Sequence, residues 1–271
     1  MRNILANQKV RMLLALTFLS LIAIASFSNP LEALARLILI LAVTLTSEYA
    51  LSFYRKAITG KPISAIITAE VLFLISNPDS SIFQIFLAIV NAVTINHYLK
   101  PLGRHIFNPA AAGLFIASFF GLKLTWWGLL PGVIFSTLTI LLAGSVTIYT
   151  LRQEKIIAPF IATVLGMTLF VTRNAYLTFT QFLIGGFWFF SLVMLPEETS
   201  SPIFSKNKVL YGITVAIFSF MIPKVGLTTE PLLTSLLIGN FLFWYLEAKR
   251  SMKEKKLAAK LPLASKLLPS E

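Results

Sequence analysis

The sequence predicts an all-α integral membrane protein of about ten transmembrane helices, arranged as two inverted five-helix repeats with short or broken helices. Three observations carry this. Apolar residues make up 56% of the 271, charged residues only 13%, and mean hydropathy is +0.81, a balance that soluble domains do not show. Lys and Arg are sorted to alternate loops. Two proline-started helices recur at matching places in the two halves.

Apolar windows bounded by charges, Pro and Gly fall at 12–28, 32–53, 63–77, 82–99, 106–121, 125–149, 156–172, 176–195, 209–223 and 231–247. The first lacks a small-x-small cleavage site and is followed at once by further apolar runs, so it reads as a membrane helix and not a signal peptide. The third, fifth and ninth are about 15 residues long, below the roughly 20 that cross a bilayer as helix. With the N-terminus cytoplasmic, every one of the 23 Lys and Arg except Arg36, Lys123, Arg173 and Lys224 falls on the inner side. That bias predicts a multi-pass protein of the plasma (inner) membrane with both termini cytoplasmic. Residues 1–247 form a single membrane domain and 248–271 a basic tail, which reads as an interfacial amphipathic helix or as a solvated stop-transfer tail. The net charge of +12 is explained by this sorting, so the expected partner is the lipid bilayer and not nucleic acid.

The repeat is read from the helix breaks. An apolar run ends at Ser76-Asn77-Pro78-Asp79, and Asn108-Pro109-Ala110 then opens a short helix; a second run ends at Leu195-Pro196-Glu197-Glu198, and Glu230-Pro231-Leu232 opens another. Pro231 follows Pro109 by 122 residues. This assigns one repeat to about 12–121 and the other to about 125–247; five spans each is an odd number, which inverts the second copy.

Candidate functional residues follow from where polarity enters apolar sequence. In Arg104-His105-Ile106-Phe107-Asn108-Pro109 a basic loop turns straight into an apolar helix, whose free N–H groups and positive dipole end face whatever sits there. Glu70, in mid-segment, reads equally as a cation or proton site and as a neutral carboxyl bonded to a neighbouring hydroxyl. Glu48 is explained by pairing with Arg55 or by snorkelling, and Asn91, Asn96 and His97 by helix–helix hydrogen bonds ahead of contact with a ligand. Glu197 and Glu198 share a cytoplasmic loop with Lys206 and Lys208 and read first as a solvated loop, although Pro196 and the Thr-Ser-Ser-Pro run suggest an ordered turn. Gly185-Gly186 reads as close helix packing. With no Cys there is no disulfide, thiolate-held iron–sulfur cluster or thiolate zinc site. The two His, on different elements, predict neither a metal centre nor haem. No nucleophile–base constellation appears, so hydrolysis has no support.

The run Arg104-His105-Ile106-Phe107-Asn108-Pro109-Ala110 resembles the signature of the RnfD/NqrB family, membrane subunits of the Rnf complex and of the sodium-pumping NADH:quinone reductase. Residues 189–202 are similar to a degraded form of that family's second signature, followed by Tyr211-Gly212, and Leu236-Leu237-Ile238-Gly239-Asn240 resembles its closing pattern. The resemblance spans roughly residues 60–245. It implies a flavin-carrying subunit that passes electrons through the membrane, coupled to Na+ or H+ movement and partnered by other membrane and peripheral subunits. It puts riboflavin or FMN at Asn108, with His105 as a second polar position and Arg104, Phe107 and Pro109 around it. The family's Ser-Gly-Ala-Thr attachment segment has no counterpart here, so the flavin implied is non-covalent. Glu70, Glu197 and Glu230 become candidate ion or proton groups; whether the chain is itself an enzyme is left open. Rival readings are a solute channel or transporter with a urea-transporter-like inverted repeat, and a scaffold subunit without a site.

The absence of Cys makes the topology directly testable. Lys224→Cys should react with a membrane-impermeant maleimide on intact cells, and Lys206→Cys only after permeabilisation. The reverse pattern would invert the map.

Overall fold

A computed structural model describes residues 8–56, 62–129, 137–142, 144, 153–176, 185–227 and 229–260. Among these the fold is all helical, with no strand and a single isolated bridge between Ser76 and Leu124. The helices are α1 (Gln8–Ser26), α2 (Pro30–Tyr54), α3 (Pro62–Ile75), α4 (Ile82–Tyr98), α5 (Pro109–Ser118), α6 (Glu154–Thr172), α7 (Gly185–Phe189, continued by a π-turn over Phe190–Met194), α8 (Ser205–Lys224) and α9 (Pro231–Lys260). Four are long and apolar enough to cross a membrane: α1, α2, α6 and the first 23 residues of α9. The chain is membrane-embedded, and its outer surface reads accordingly. Phe53, Leu31 and Phe170 stand fully outward, and only 17% of the apolar window of α2 is covered by protein against 56% for α9. Thus α9 is central and α2 peripheral.

The two short helices expected at 63–77 and 106–121 are short: α3 has 14 residues and α5 only 10, or about 15 Å at 1.5 Å per residue. The third, expected at 209–223, is instead the 20-residue α8, because the polar stretch from Ser205 to Lys208 is helical too. The last helix likewise runs past Leu246 into the basic stretch, so residues 248–260 continue the span as helix. Most of the segment expected at 125–149, and the first half of that at 176–195, lie outside the described residues.

The caps explain where the helices begin. Asn29 accepts from the Glu32 N–H ahead of Pro30, and Ser81 forms a reciprocal capping box with Gln84. Asn108 accepts from the Ala111 N–H ahead of Pro109 at 3.0 Å, and Glu230 from the Leu233 N–H ahead of Pro231 at 2.6 Å. The same cap three residues from its donor, with proline between, therefore opens both α5 and α9. Packing follows the same rhyme: α2 lies on α4 and α4 on α5, as α6 lies on α8 and α8 on α9.

Where α3 stops, lipid offers no partner for the freed backbone. The segment after α5 takes its place. Asn77 donates to Lys123 O, Thr125 and Trp126 N–H both donate to Ile75 O, and the Trp127 indole donates to Phe73 O. From α2, the Arg36 guanidinium donates to the carbonyls of Asn77, Pro78 and Ser80. A positive charge left on the outer side by the sorting rule is thus the clip of the first break.

Close approaches depend on small residues. A Cβ on Gly113 of α5 would lie 2.8 Å from Ala92 Cβ and 2.9 Å from Ala92 N of α4. Gly185 lies against the Leu129 carbonyl, so the Gly185-Gly186 pair does serve packing. Gly113→Val should lower unfolding stability in detergent by about 1–3 kcal/mol, the scale of overpacking. An unchanged thermal midpoint would show that α4 and α5 are not in contact.

Candidate functional site

The start of α5 forms one wall of a polar cavity of about 340 Å³. Its lining includes Lys9 and Met12 of α1, Ser64 and Thr68 of α3, Asn96 of α4, then His105, Pro109 and the turn Glu197-Glu198-Thr199. Two small spaces of about 30 and 50 Å³ adjoin it, and all three share Met12 and Glu197. Asn108 lies at the smaller of these, so the site gathers where the start of α5 meets the turn that follows the α7 break.

Asn108 is buried. Its carbonyl oxygen caps α5, and its side chain lines the smallest space together with Glu197, whose charged form it favours. Glu197 is held by its own turn: the Ser200 hydroxyl donates to Oε2 at 2.7 Å, and the Ser200 and Ser201 N–H groups donate to its carbonyl. The Thr-Ser-Ser-Pro run is therefore an ordered turn. Burial is the chief influence on this carboxyl and pushes it above the usual carboxylate range; bonds from Ser200, Thr199 and Asn108 and the charge of Lys9 pull it part of the way back. For His105 the direction is reversed. Burial, then the positive Lys100 and Lys9, lower the imidazole to about 4, which keeps it neutral at pH 7. Its Nδ1 is buried and makes no hydrogen bond.

The other expected site residues separate. Pro109 lines the cavity, but Phe107 turns away and stacks on Phe241 of α9 at 6.4 Å. Arg104 is engaged elsewhere: it pairs with Glu247 of α9 at 3.0 Å and donates to the Ser201 carbonyl. Glu247 also accepts from Ile203 N, Phe204 N and Asn207, so it caps α8 from a neighbouring helix. This clamp on the second break corresponds to Arg36 on the first. Glu230 caps α9, with the Trp126 indole bonded to it, at the far end of α5 from Asn108. Glu70 is buried between α3 and α1, where the Thr17 hydroxyl donates to Oε1 at 2.6 Å; Oε2 has no partner. It lies outside the cavity wall.

Glu48 pairs differently from expectation. It lies 3.1 Å from His97 Nε2 and accepts from Asn96, while Arg55 donates to the His97 carbonyl and stacks on Tyr98. Asn91 bonds within its own helix, to Leu87 O. The Tyr211 hydroxyl donates to Asn240 Oδ1 at 2.5 Å beside Gly239, so those two motif fragments pack on one another. Among the described residues no cluster of three or more His, Asp or Glu is placed to hold a metal. Sequence reasoning missed Thr17, Arg36 and Glu247. Arg36, a charge inside the second apolar run, and Glu247, a carboxylate at the end of the last, each left a signal; Thr17 left none.

Comparison with protein-family models and with curated proteins returns no match.

Because the folded protein holds the Glu197 proton more tightly than an unfolded chain, that contribution to stability is present at low pH. It is lost as pH rises above the ordinary carboxylate range. Thermal unfolding in detergent at about pH 5 and about pH 8 should show a fall with rising pH that is smaller in Glu197→Gln. An identical fall in the variant would mean that Glu197 titrates as it does in water.

Proposed function

We propose that the chain is a membrane subunit of an electron-transport complex of the RnfD/NqrB kind, holding a flavin non-covalently at the start of α5. The observation that carries this reading is the cavity where the start of α5 meets Glu197, a capped half-length helix against a half-buried carboxyl. A five-plus-five inverted arrangement agrees with it. After α5 the chain reaches Trp126 at the start of α9, and before α5 it reaches Phe241, so α5 and α9 run in opposite directions. With both termini cytoplasmic, Asn108 would face the inside and Glu230 the outside.

The residues suit an isoalloxazine moderately well. At about 340 Å³ the cavity falls at the lower end of ligand sites, which span roughly 300–1,000 Å³. Met12, Ile63, Ile67 and Pro109 supply an apolar slot; Ser64, Thr68, Asn96 and the unpartnered His105 Nδ1 supply polar contacts along an edge. The slot is aliphatic, with no Phe in its wall although the chain carries 23 of them. When bound, a flavin would supply one- or two-electron chemistry, and partner subunits would deliver the electrons. The chain's own part would be to orient the ring through His105 and Asn96 and to hold a proton or cation at Glu197, with Glu70 as a second acid in the same half of the membrane. Arg104 has no place in this binding, because its charge is committed to Glu247.

One observation favours a second reading, a solute channel or transporter of urea-transporter-like architecture: no Phe, Tyr or Trp lines the described cavity, while charged and hydroxyl groups do. Purified protein separates the two. The flavoprotein reading expects a yellow chromophore, released by denaturation because it is non-covalent, and strongly reduced in His105→Ala, which leaves the α5 cap intact. Colourless protein that conducts a small solute in liposomes would replace the first reading with the second.

A further inference from the structure

A second cavity, of about 360 Å³, opens where α6 and α8 begin, on the other side of Glu198 from the first. Arg104, Gln153, Glu198, Ser201 and Lys208 supply its polar wall. Two of these are orphans. Gln153 and Ser201 are 3% and 2% exposed, and Gln153 Oε1 and Ser201 Oγ are buried with no hydrogen-bond partner. Gln153 stands just before α6 without capping it. Buried polar atoms are nearly always satisfied, so an unpartnered acceptor and hydroxyl on two residues of one cavity wall point to something that completes them.

The charges narrow what that is. Arg104 is neutralised by Glu247. What remains around Lys208 is Glu154, Lys155 and Glu198, with Lys155 donating to Ser205 Oγ at 2.7 Å. Two lysines against two glutamates leave no net charge, which disfavours a polyanion and matches a ligand carrying one charge of each sign. The Gln153 carbonyl oxygen requires an N–H or O–H donor, which a quaternary ammonium lacks. Beside the cavity, Ile203, Val209 and Leu210 are exposed apolar side chains, 60%, 37% and 49% open, as a lipid-facing rim would be.

We propose that this cavity binds a phosphodiester bearing a primary ammonium, the headgroup chemistry of an ethanolamine phospholipid. The phosphate sits at Lys208, where the Ser201 hydroxyl donates to it, and the ammonium donates to Gln153 Oε1 and Glu198. The bound headgroup would fasten the start of α6 to that of α8, which Glu247 already holds from the α9 side. This inference stands independently of the electron-transport reading.

The test titrates delipidated full-length protein with phosphatidylethanolamine, phosphatidylcholine and phosphatidylglycerol of identical chains, followed by native mass spectrometry. Ethanolamine lipid should bind about tenfold more tightly than choline lipid, the discrimination of one hydrogen bond to a charged group. Gln153→Leu should abolish that preference, with Gln153→Met as a second apolar variant should the first fail to fold. Lys208→Ala should weaken binding and Lys208→Arg restore it. Soluble glycerophosphoethanolamine that displaces the lipid identifies the headgroup alone as sufficient; failure to displace a preferred lipid identifies the acylated molecule as the ligand. Equal binding of ethanolamine and choline lipids by the wild type, or an unchanged preference in a folded Gln153 variant, overturns the proposal.

Discussion

A hydrocarbon interior gives the backbone no water to bond with, and every unusual feature of this fold answers to that. Two helices stop short inside the protein, α3 at Ile75 and the α7 π-turn at Met194. Each stop frees carbonyls and N–H groups that must be matched from within. At the first, residues 123–127 donate and accept, and Arg36 closes the remaining carbonyls. At the second, Arg104 takes the Ser201 carbonyl while Glu247 takes the N–H groups at the start of α8. A guanidinium serves both breaks because its five donors reach several acceptors at once, three carbonyls for Arg36 and a carbonyl with a carboxylate for Arg104.

The candidate site is a by-product of the same solution. A helix break brings irregular backbone and polar side chains to a depth where lipid would otherwise exclude them. The capped, proline-started turn that opens α5 meets the turn of the second break, while the first break lies at the other end of α5. Asn108 and Glu197, which lie in different halves of the sequence, come into contact through this, and the cavity forms around them. Burial then sets their chemistry: it keeps His105 neutral and favours the protonated form of Glu197.

Much of this was legible in the chain. Hydropathy identified a membrane protein because apolar composition on this scale is stable only in lipid. Asn108-Pro109 and Glu230-Pro231 announced helix starts, since a short polar acceptor followed by a residue without N–H fits the first turn and little else. Segment lengths showed that α3 and α5 are too short to span. They did not show that α8 is a full 20 residues, because hydropathy is blind to a polar first turn that nonetheless bonds as helix.

The sequence by itself determined the environment, the helical class, the positions of the breaks and the residues that cap them, because these depend on local chemistry and on the solvent. Only the tertiary structure decided which polar groups meet. Glu48 paired with His97 and not with Arg55, Arg104 was committed to Glu247 and so left the site, Phe107 turned to Phe241, and Glu197 moved from a presumed solvated loop to the cavity wall. Partner choice among buried polar groups is settled by which helices touch and at what height, and that depends on contacts far apart in sequence, such as the 143 residues that separate Arg104 from Glu247.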